Sequence, residues 1–338
     1  MHTVIVTKDP IDVENYISGQ EFFLNMLIRI LLKHGVNLEI TSMDKLIKSR
    51  ECRISNSIHL YYTGFKDILT IRKICKDIRI IYHVYHIEDV SWRKLHEWSW
   101  KAFLITIQPL IYAYLASSES IYKWLKRKTF LAKSILVEPY YECSCNTFHS
   151  SKYIDAIYEK LHDHEVKILY IGRLSPYRSP PQMLLEVARG INKKLRRPVE
   201  LTIVTKSKNL PTRITLKSID LKVNLINERI KDHEKCELYR KSHFFIYFAP
   251  WGNVAMNPPI TVLEAVYHGV IPIVSRNLLK DLEIPTIFVA DNVEEISNKI
   301  KLLYDDLEKT LRYIMILKKL FKRFYDETRF FRVLKSVI

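Results

Sequence analysis

The sequence predicts an α/β protein of two doubly wound halves, and three observations predict it. Thr3 to Val6 reads as a strand, Phe22, Phe23, Met26, Leu27, Ile30 and Leu31 recur at helical spacing, and Asn37 to Thr41 reads as a second strand. A βαβ opening of this kind implies a parallel sheet. A fresh alternation starts with the apolar run Val166 to Ile171. Late in the chain, Phe244 to Phe248, a Gly- and Asn-containing loop, a helix and Val270 to Val274 follow one another. That order is strand, loop, helix N-terminus, strand, where open α/β sheets hold anionic ligands.

The elements follow in order. Ser18-Gly-Gln-Glu21 reads as a capping box for the first helix, and Gly35 ends it. Strands are predicted at 57–62, 79–85, 112–116 and 134–137, with helices at 68–76 and from Ser117/Ser118 through Trp124. A basic, Trp-rich amphipathic stretch at 92–103 lies between them. Residues 140–165 are polar and irregular and read as the linker. In the second half, strands are predicted at 166–171, 199–204, 222–226, 244–248, 270–274 and 284–289. Helices are predicted at 182–191 and 232–241, after Asn257-Pro-Pro, and from Val293 to the end. The expected domains are 1–150, 151–318 and a last helix over 319–338.

A formal charge of +16 lies mostly in the second half, +11 after residue 150 against +5 before it. Such an excess suits nucleic acid, anionic membrane or phosphorylated ligands. No RNP-like aromatic strand, finger or helix-turn-helix pattern is present, so nucleic acid is not the expected partner. No apolar run reaches the length of a membrane span. Five cysteines, with no leader pattern ahead of the first strand, predict reduced thiols and a cytoplasmic protein. Cys143-x-Cys145 lacks a second Cys/His pair at ligand spacing, so no metal is expected.

Chemistry is expected at the carboxyl ends of the second sheet's strands. Gly172-Arg-Leu-Ser-Pro-Tyr-Arg178 leaves the Val166 strand, and the Asn257-Pro-Pro helix starts near another strand end. Two arginines beside a helix N-terminus suit a diphosphate. The alternative reading of Arg173 and Arg178 is a solvated basic loop. Glu264, in the first two turns of the late helix, can accept hydrogen bonds from sugar hydroxyls or merely favour the helix dipole. His86 stands at a strand end, where a lone histidine is either structural or functional. The 92–103 stretch, with Trp92, Trp98 and Trp100 among Arg93, Lys94 and Lys101, suits an interfacial helix on anionic lipid or a core helix with a basic outer face.

Taken together, these residues resemble the retaining glycosyltransferases of family 4, with the GT-B fold. Ser18-Gly19 resembles the family's glycine-rich first loop, and Tyr85-His86 its strand-end histidine. Gly172-Arg-Leu-Ser-Pro-Tyr-Arg178 resembles its G-R-L-S-x-x-K segment. Met256-x7-Glu264 resembles the E-x7-E motif, followed by Gly269-Val-Ile-Pro-Ile-Val274, and Arg323-Phe-Tyr-Asp-Glu-Thr resembles its ending. The resemblance implies two Rossmann-like domains whose parallel sheets face across a cleft. It implies His86 and Glu264 as catalytic-site residues. It implies donor binding by Gly19, Arg173, Arg178, Lys206, Met256, Asn257, Ile260 and Thr261. Met256 stands where the first glutamate of the motif belongs, Thr205-Lys-Ser-Lys208 replaces V-G-x-G, and Pro258-Pro259 removes two backbone donors.

The expected activity is transfer of a sugar, with retention, from a nucleotide-diphosphate donor to a glycan or lipid-linked acceptor. No metal or other cofactor is required. Peripheral contact with anionic membrane through 92–103 is expected. The alternative is a catalytically impaired GT-B module that binds a nucleotide sugar or a partner.

Overall fold

Short apolar runs form the strands, and the polar segments between them carry the crossovers. The computed structural model describes residues 2–7, 19–49, 55–61, 63–85, 94–143, 148, 150, 152–174, 179–207, 210, 212–218, 220–249, 258–278 and 282–338. The chain divides into two units, 1–140 with 323–338 and 141–252 with 258–322.

In the first unit β1 (His2–Thr7), β2 (Asn37–Ser42), β3 (Ser57–Leu60), β4 (Arg79–Val84), β5 (Ala113–Ala116) and β6 (Lys133–Leu136) form one sheet, ordered β2-β1-β3-β4-β5-β6. Every pairing in it is parallel. Parallel neighbours need crossovers, supplied by α1 (Gly19–Lys33), α2 (Met43–Ser49), α3 (Phe65–Ile74), α4 (Lys94–Thr106) and α5 (Glu119–Lys128). The period of two sorts the strand residues. Ile58, Leu60, Ile80, Tyr82 and Val84 join Ile68 and Ile71 of α3, Leu104 of α4 and Ile121 and Leu125 of α5 in one core.

The other face of β3 and β4 buries polar side chains. His59 and His83 are 0% and 3% exposed and share a hydrogen bond of 2.9 Å between Nδ1 and Nε2. Tyr61 stacks on His83, with ring centroids 4.0 Å apart, and Phe23 of α1 meets it edge-on. The predicted α1 face (Phe22, Phe23, Met26, Leu27, Ile30, Leu31) is buried. Gly35, at φ +72°, closes that helix in the left-handed conformation. The last helix, α12 (Glu327–Lys335), belongs to this unit: Phe330 packs on Phe23 and Tyr140, and Glu327 accepts from Lys33 and His34.

The second unit contains α6 (Tyr153–Leu161), β7 (Val166–Ile171), α7 (Pro181–Leu195), β8 (Val199–Val204), β9 (Arg213–Lys217), β10 (Leu221–Ile226), α8 (Asp232–Lys241), β11 (Phe244–Tyr247), α9 (Ile260–Tyr267), β12 (Ile271–Val274), α10 (Val293–Asp305) and α11 (Leu307–Phe321). Its sheet runs β12-β11-β7-β8-β10-β9. All its pairings are parallel except that of β9 with β10.

Three expectations change. The strand expected at 284–289 is a single helical turn, Thr286–Phe288, and only Val289 bridges to Val274. Pro285, at φ −54°, lacks the N–H that a ladder needs. The irregular stretch 140–165 contains α6, whose Tyr153, Ile157 and Leu161 are buried. The third change is oxidation: Cys75 and Cys236 are disulfide-bonded, with partners outside the described residues, so reduced thiols throughout are not what the fold holds.

Helices α7 and α10 approach at Gly190. A β-carbon there would lie 2.5 Å from Ser297 Oγ and 3.3 Å from Ser297 Cβ. Gly190→Ala is expected to destabilise the second unit by about 1–3 kcal/mol through overpacking. Adding Ser297→Ala removes the clashing oxygen and should restore most of that loss. Urea denaturation of the single and double variants checks both expectations.

Candidate functional site

The carboxyl ends of β7, β8, β11 and β12 are stitched together by short hydrogen bonds. Beyond β7, Gly172 N–H donates to Val204 O at 3.0 Å. Tyr170 OH reaches over the turn to Arg173 O at 2.9 Å. A β-carbon at 172 would stand 2.9 Å from Tyr170 Oη and 3.4 Å from the Tyr247 ring, so a side chain there would push the Tyr170 hydroxyl from its place. Leu174 N–H donates to Thr205 Oγ1 at 3.4 Å, which brings the Arg173 loop beside Lys206 at the end of β8. Both Arg173 and Lys206 are exposed.

The far end of that loop is fixed by Ser179. Its N–H and Oγ both donate to Phe248 O, at 2.7 and 2.8 Å, and Phe248 N–H donates back to Ser179 Oγ at 3.0 Å. Ser179 is fully buried at φ 45°, a left-handed conformation disfavoured for a residue with a side chain. That cost is held by three hydrogen bonds. Pro180 and Pro181 then start α7, with Pro181 at the first helical position. Ala249 N–H donates to Ser275 Oγ at 2.9 Å, linking the ends of β11 and β12.

Helix α9 starts at the same end of the sheet. Pro259 occupies its N-cap, no side chain caps it, and no acidic residue lies in its first turn. Ile260 is its first residue and is buried; Thr261, half-buried, follows. Glu264 lies one turn on and is 1% exposed. Its Oε1 accepts from Lys235 Nζ and its Oε2 from Tyr239 OH at 2.9 Å, both from α8. The Tyr239 hydroxyl also lies 3.2 Å from Thr261 O.

The structure therefore brings Arg173, Lys206, Ile260, Thr261 and Glu264 into one unit, on elements that meet at one end of its sheet. Gly19 begins α1 in the other unit. His86, Arg178, Met256 and Asn257 lie outside the described residues, as do Ser18, Trp92 and Arg93. Sequence reasoning missed Ser179, Tyr170, Lys235 and Tyr239. The first two follow a legible signal, the flanks of the 172–178 loop. The last two sit 29 and 25 residues before Glu264 and carry none.

A shallow depression elsewhere on this unit is lined by Lys160, Asp163, Lys167, Arg240 and His243. It lies at the amino ends of β7 and β11, away from the strand ends that carry Arg173. Lys160 donates to Tyr239 O and Gly269 O at 3.3 and 3.2 Å, and burial lowers its pKa to about 7.

Searched against curated proteins, the sequence finds no match. Solved structures do resemble it. Anabaena HepE in complex with UDP and glucose matches with a TM-score of 0.66 at 10% identity, over 99% of this chain and 98% of that one. Sucrose-phosphate synthase from Thermosynechococcus elongatus matches with a TM-score of 0.67 at 11% identity, over 99% and 97%. A UDP-forming α,α-trehalose-phosphate synthase from Burkholderia vietnamiensis matches with a TM-score of 0.61 at 10% identity, over 95% and 78%. The fold is thus that of the GT-B enzymes, two Rossmann-like α/β units with parallel sheets. Residues 156–319, the stretch that carries the strand ends described above, match the family model of the group 1 glycosyl transferases.

Proposed function

We propose that the chain transfers a sugar, with retention of configuration, from a nucleotide-diphosphate donor. The observation that carries this reading is the loop 172–179, fixed at both ends and presenting Arg173 at the strand ends of the unit that matches the group 1 glycosyl transferases. Departure of the diphosphate concentrates negative charge on its oxygens. Arg173, Arg178, Lys206 and the uncapped start of α9 would stabilise that charge, an arrangement worth most when its donors are fixed beforehand. Glu264 would accept hydrogen bonds from the ribose through the lone pairs left free by Lys235 and Tyr239. His86 would position the sugar. No metal is needed to neutralise the leaving group if the cationic side chains do so. A catalytically impaired module is the second reading, and Met256 in place of an acid is its motive.

The test is release of nucleoside diphosphate from UDP-, GDP- and ADP-sugars, paired with thermal shifts for the same panel. Arg173→Ala is expected to lower turnover at least about 10²-fold. Unchanged turnover in that variant would sink the diphosphate clamp. Thermal stabilisation without any release would favour the impaired module.

The acceptor is proposed to be lipid-linked, because one surface of the first unit fits anionic lipid. Trp98 and Ile105, seven residues apart on α4, are 74% and 42% exposed. Trp100 and Phe103 instead pack on the core. After α5, Phe130 and Leu131 are 83% and 66% exposed, flanked by exposed Lys126, Arg127, Lys128 and Lys133. Buried Gln108 joins these pieces: its amide donates to Ile105 O and Lys128 O and its oxygen accepts from Leu131 N–H. No helix among the described residues is long and apolar enough to cross a membrane. Phe130→Ser with Leu131→Ser is expected to weaken sedimentation with anionic vesicles by about tenfold or more, given the apolar area lost. If the wild-type chain ignores anionic vesicles at low salt, the membrane reading fails.

A further inference from the structure

Cys143 lies 93 residues before Cys236 of α8 and 125 before His268 at the end of α9, yet the three converge. One donor atom from each lies within 4.8 Å of the other two. Cys143 Sγ is 3.1 Å from Cys236 Sγ. The imidazole of His268 is 3% exposed and held in place by aromatic rings. Tyr239 stacks on it at 5.5 Å and Tyr141 and Tyr267 meet it edge-on. Tyr141 Oη lies 3.4 Å from Nε2, whereas Nδ1 is buried without a hydrogen-bond partner. A buried nitrogen without a partner is destabilising, and a cation would satisfy it.

The donor set is two sulfurs and an imidazole, which zinc-class ions prefer. Two thiolates at tetrahedral zinc stand about 3.8 Å apart, from Zn–S bonds of about 2.3 Å. The sulfurs here need to separate by less than about 1 Å to reach that spacing. Cys236 is disulfide-bonded in this structure, so the donors become available only on reduction. We propose that, in the reduced chain, Cys143, Cys236 and His268 bind a thiophilic divalent cation of the zinc class. Reduction by a phosphine breaks the S–S bond: phosphorus takes the oxygen of one water, and the two sulfurs take its protons. Binding then releases the thiol protons of Cys143 and Cys236 to solvent. The ion would tie the segment at 141–143 to α8 and α9, the helices that carry Lys235, Tyr239 and Glu264. The site is therefore structural and independent of the reaction proposed above.

The full chain, reduced with a phosphine under inert gas, is titrated with cobalt(II) as the probe. The expected result is a thiolate-to-cobalt charge-transfer band that saturates at one equivalent and is displaced by zinc. Cys143→Ser and His268→Asn should each weaken cobalt affinity at least about tenfold, with circular dichroism confirming that each variant is folded. The unreduced chain should show no band. Absence of the band in the reduced wild-type chain, or a band unaltered in both folded variants, overturns the proposal.

Discussion

Lys235→Met is expected to destabilise the second unit by about 3–5 kcal/mol. The ion pair it breaks is buried: the Lys235 side chain is 16% exposed and that of Glu264 1%. Methionine keeps most of the aliphatic volume but leaves the carboxylate with the Tyr239 hydroxyl as its donor from α8. An uncompensated buried charge is the expensive outcome. Glu264→Gln in the Lys235→Met background removes that charge and should recover much of the loss, so the two changes are strongly non-additive. Urea denaturation of the four proteins of this cycle measures it. A shift below about 1 kcal/mol for Lys235→Met would mean that the pair behaves as an exposed one. The exposed pair Arg312–Glu308 provides the contrast, and Arg312→Ala should cost less than about 0.5 kcal/mol.

Acid is the second large effect. Burial lowers the pKa of His59 to about 3 and holds that of His83 well below its ordinary value, with His59 adding to the depression. In the second unit, burial lowers His243 to about 4, with nearby Lys160 contributing. The sign follows from proton binding. Above about pH 6.5 these imidazoles are neutral whether the chain is folded or not, and stability is intact. As pH falls below that value, the unfolded chain binds protons that the folded chain refuses, and stability declines. Each histidine costs about 1.4 kcal/mol per pH unit well below 6.5. The second unit holds His268 as well, lowered by burial to about 3, so the two units, with two such histidines each, should lose comparable amounts per pH unit. Asp163, held low by Lys167, acts mainly at more acid pH, Glu327 of the first unit adds to the loss at the acid end of the window, and Lys160, at about 7, titrates across its upper edge. Unfolding free energies between roughly pH 6.5 and 4.5 test this. His83→Gln should flatten the slope for the first unit, and an unchanged slope would refute the assignment.

Much of the fold was legible because buried parallel strands are apolar runs. Phe244–Tyr247 and Val166–Ile171 have no competing reading, and α8 spans the predicted Asp232–Lys241. Arg213–Lys217 was not legible, since all five residues of β9 are exposed and alternate with no buried face. The stretch at 284–289 misled for the opposite reason. Its apolar content is that of a strand, but burial there comes without a ladder. In the candidate site, the positions of Arg173 after a strand end and Glu264 near a helix start could be read from the sequence. The partners of Glu264 could not, because Lys235 and Tyr239 reach it by helix packing, which leaves no local pattern. Cys236 and His268 were invisible for the same reason: ligand spacing in sequence presumes local ligands, and these come from three separate segments.

Strand β9 also bears on how the chain behaves at high concentration. It joins its sheet by a tight hairpin rather than a crossover, with Ser218 N–H donating to Leu221 O. It thereby covers the rim of β10, whose backbone groups would otherwise be open to a strand from another molecule. The rim that β9 itself presents begins with Arg213, held by Glu228 and Glu234, and ends with Lys217. Cationic side chains on an outermost strand oppose edge-to-edge pairing. The hairpin is thus a guard against self-association, and it leaves the carboxyl ends of β7, β8, β11 and β12 untouched.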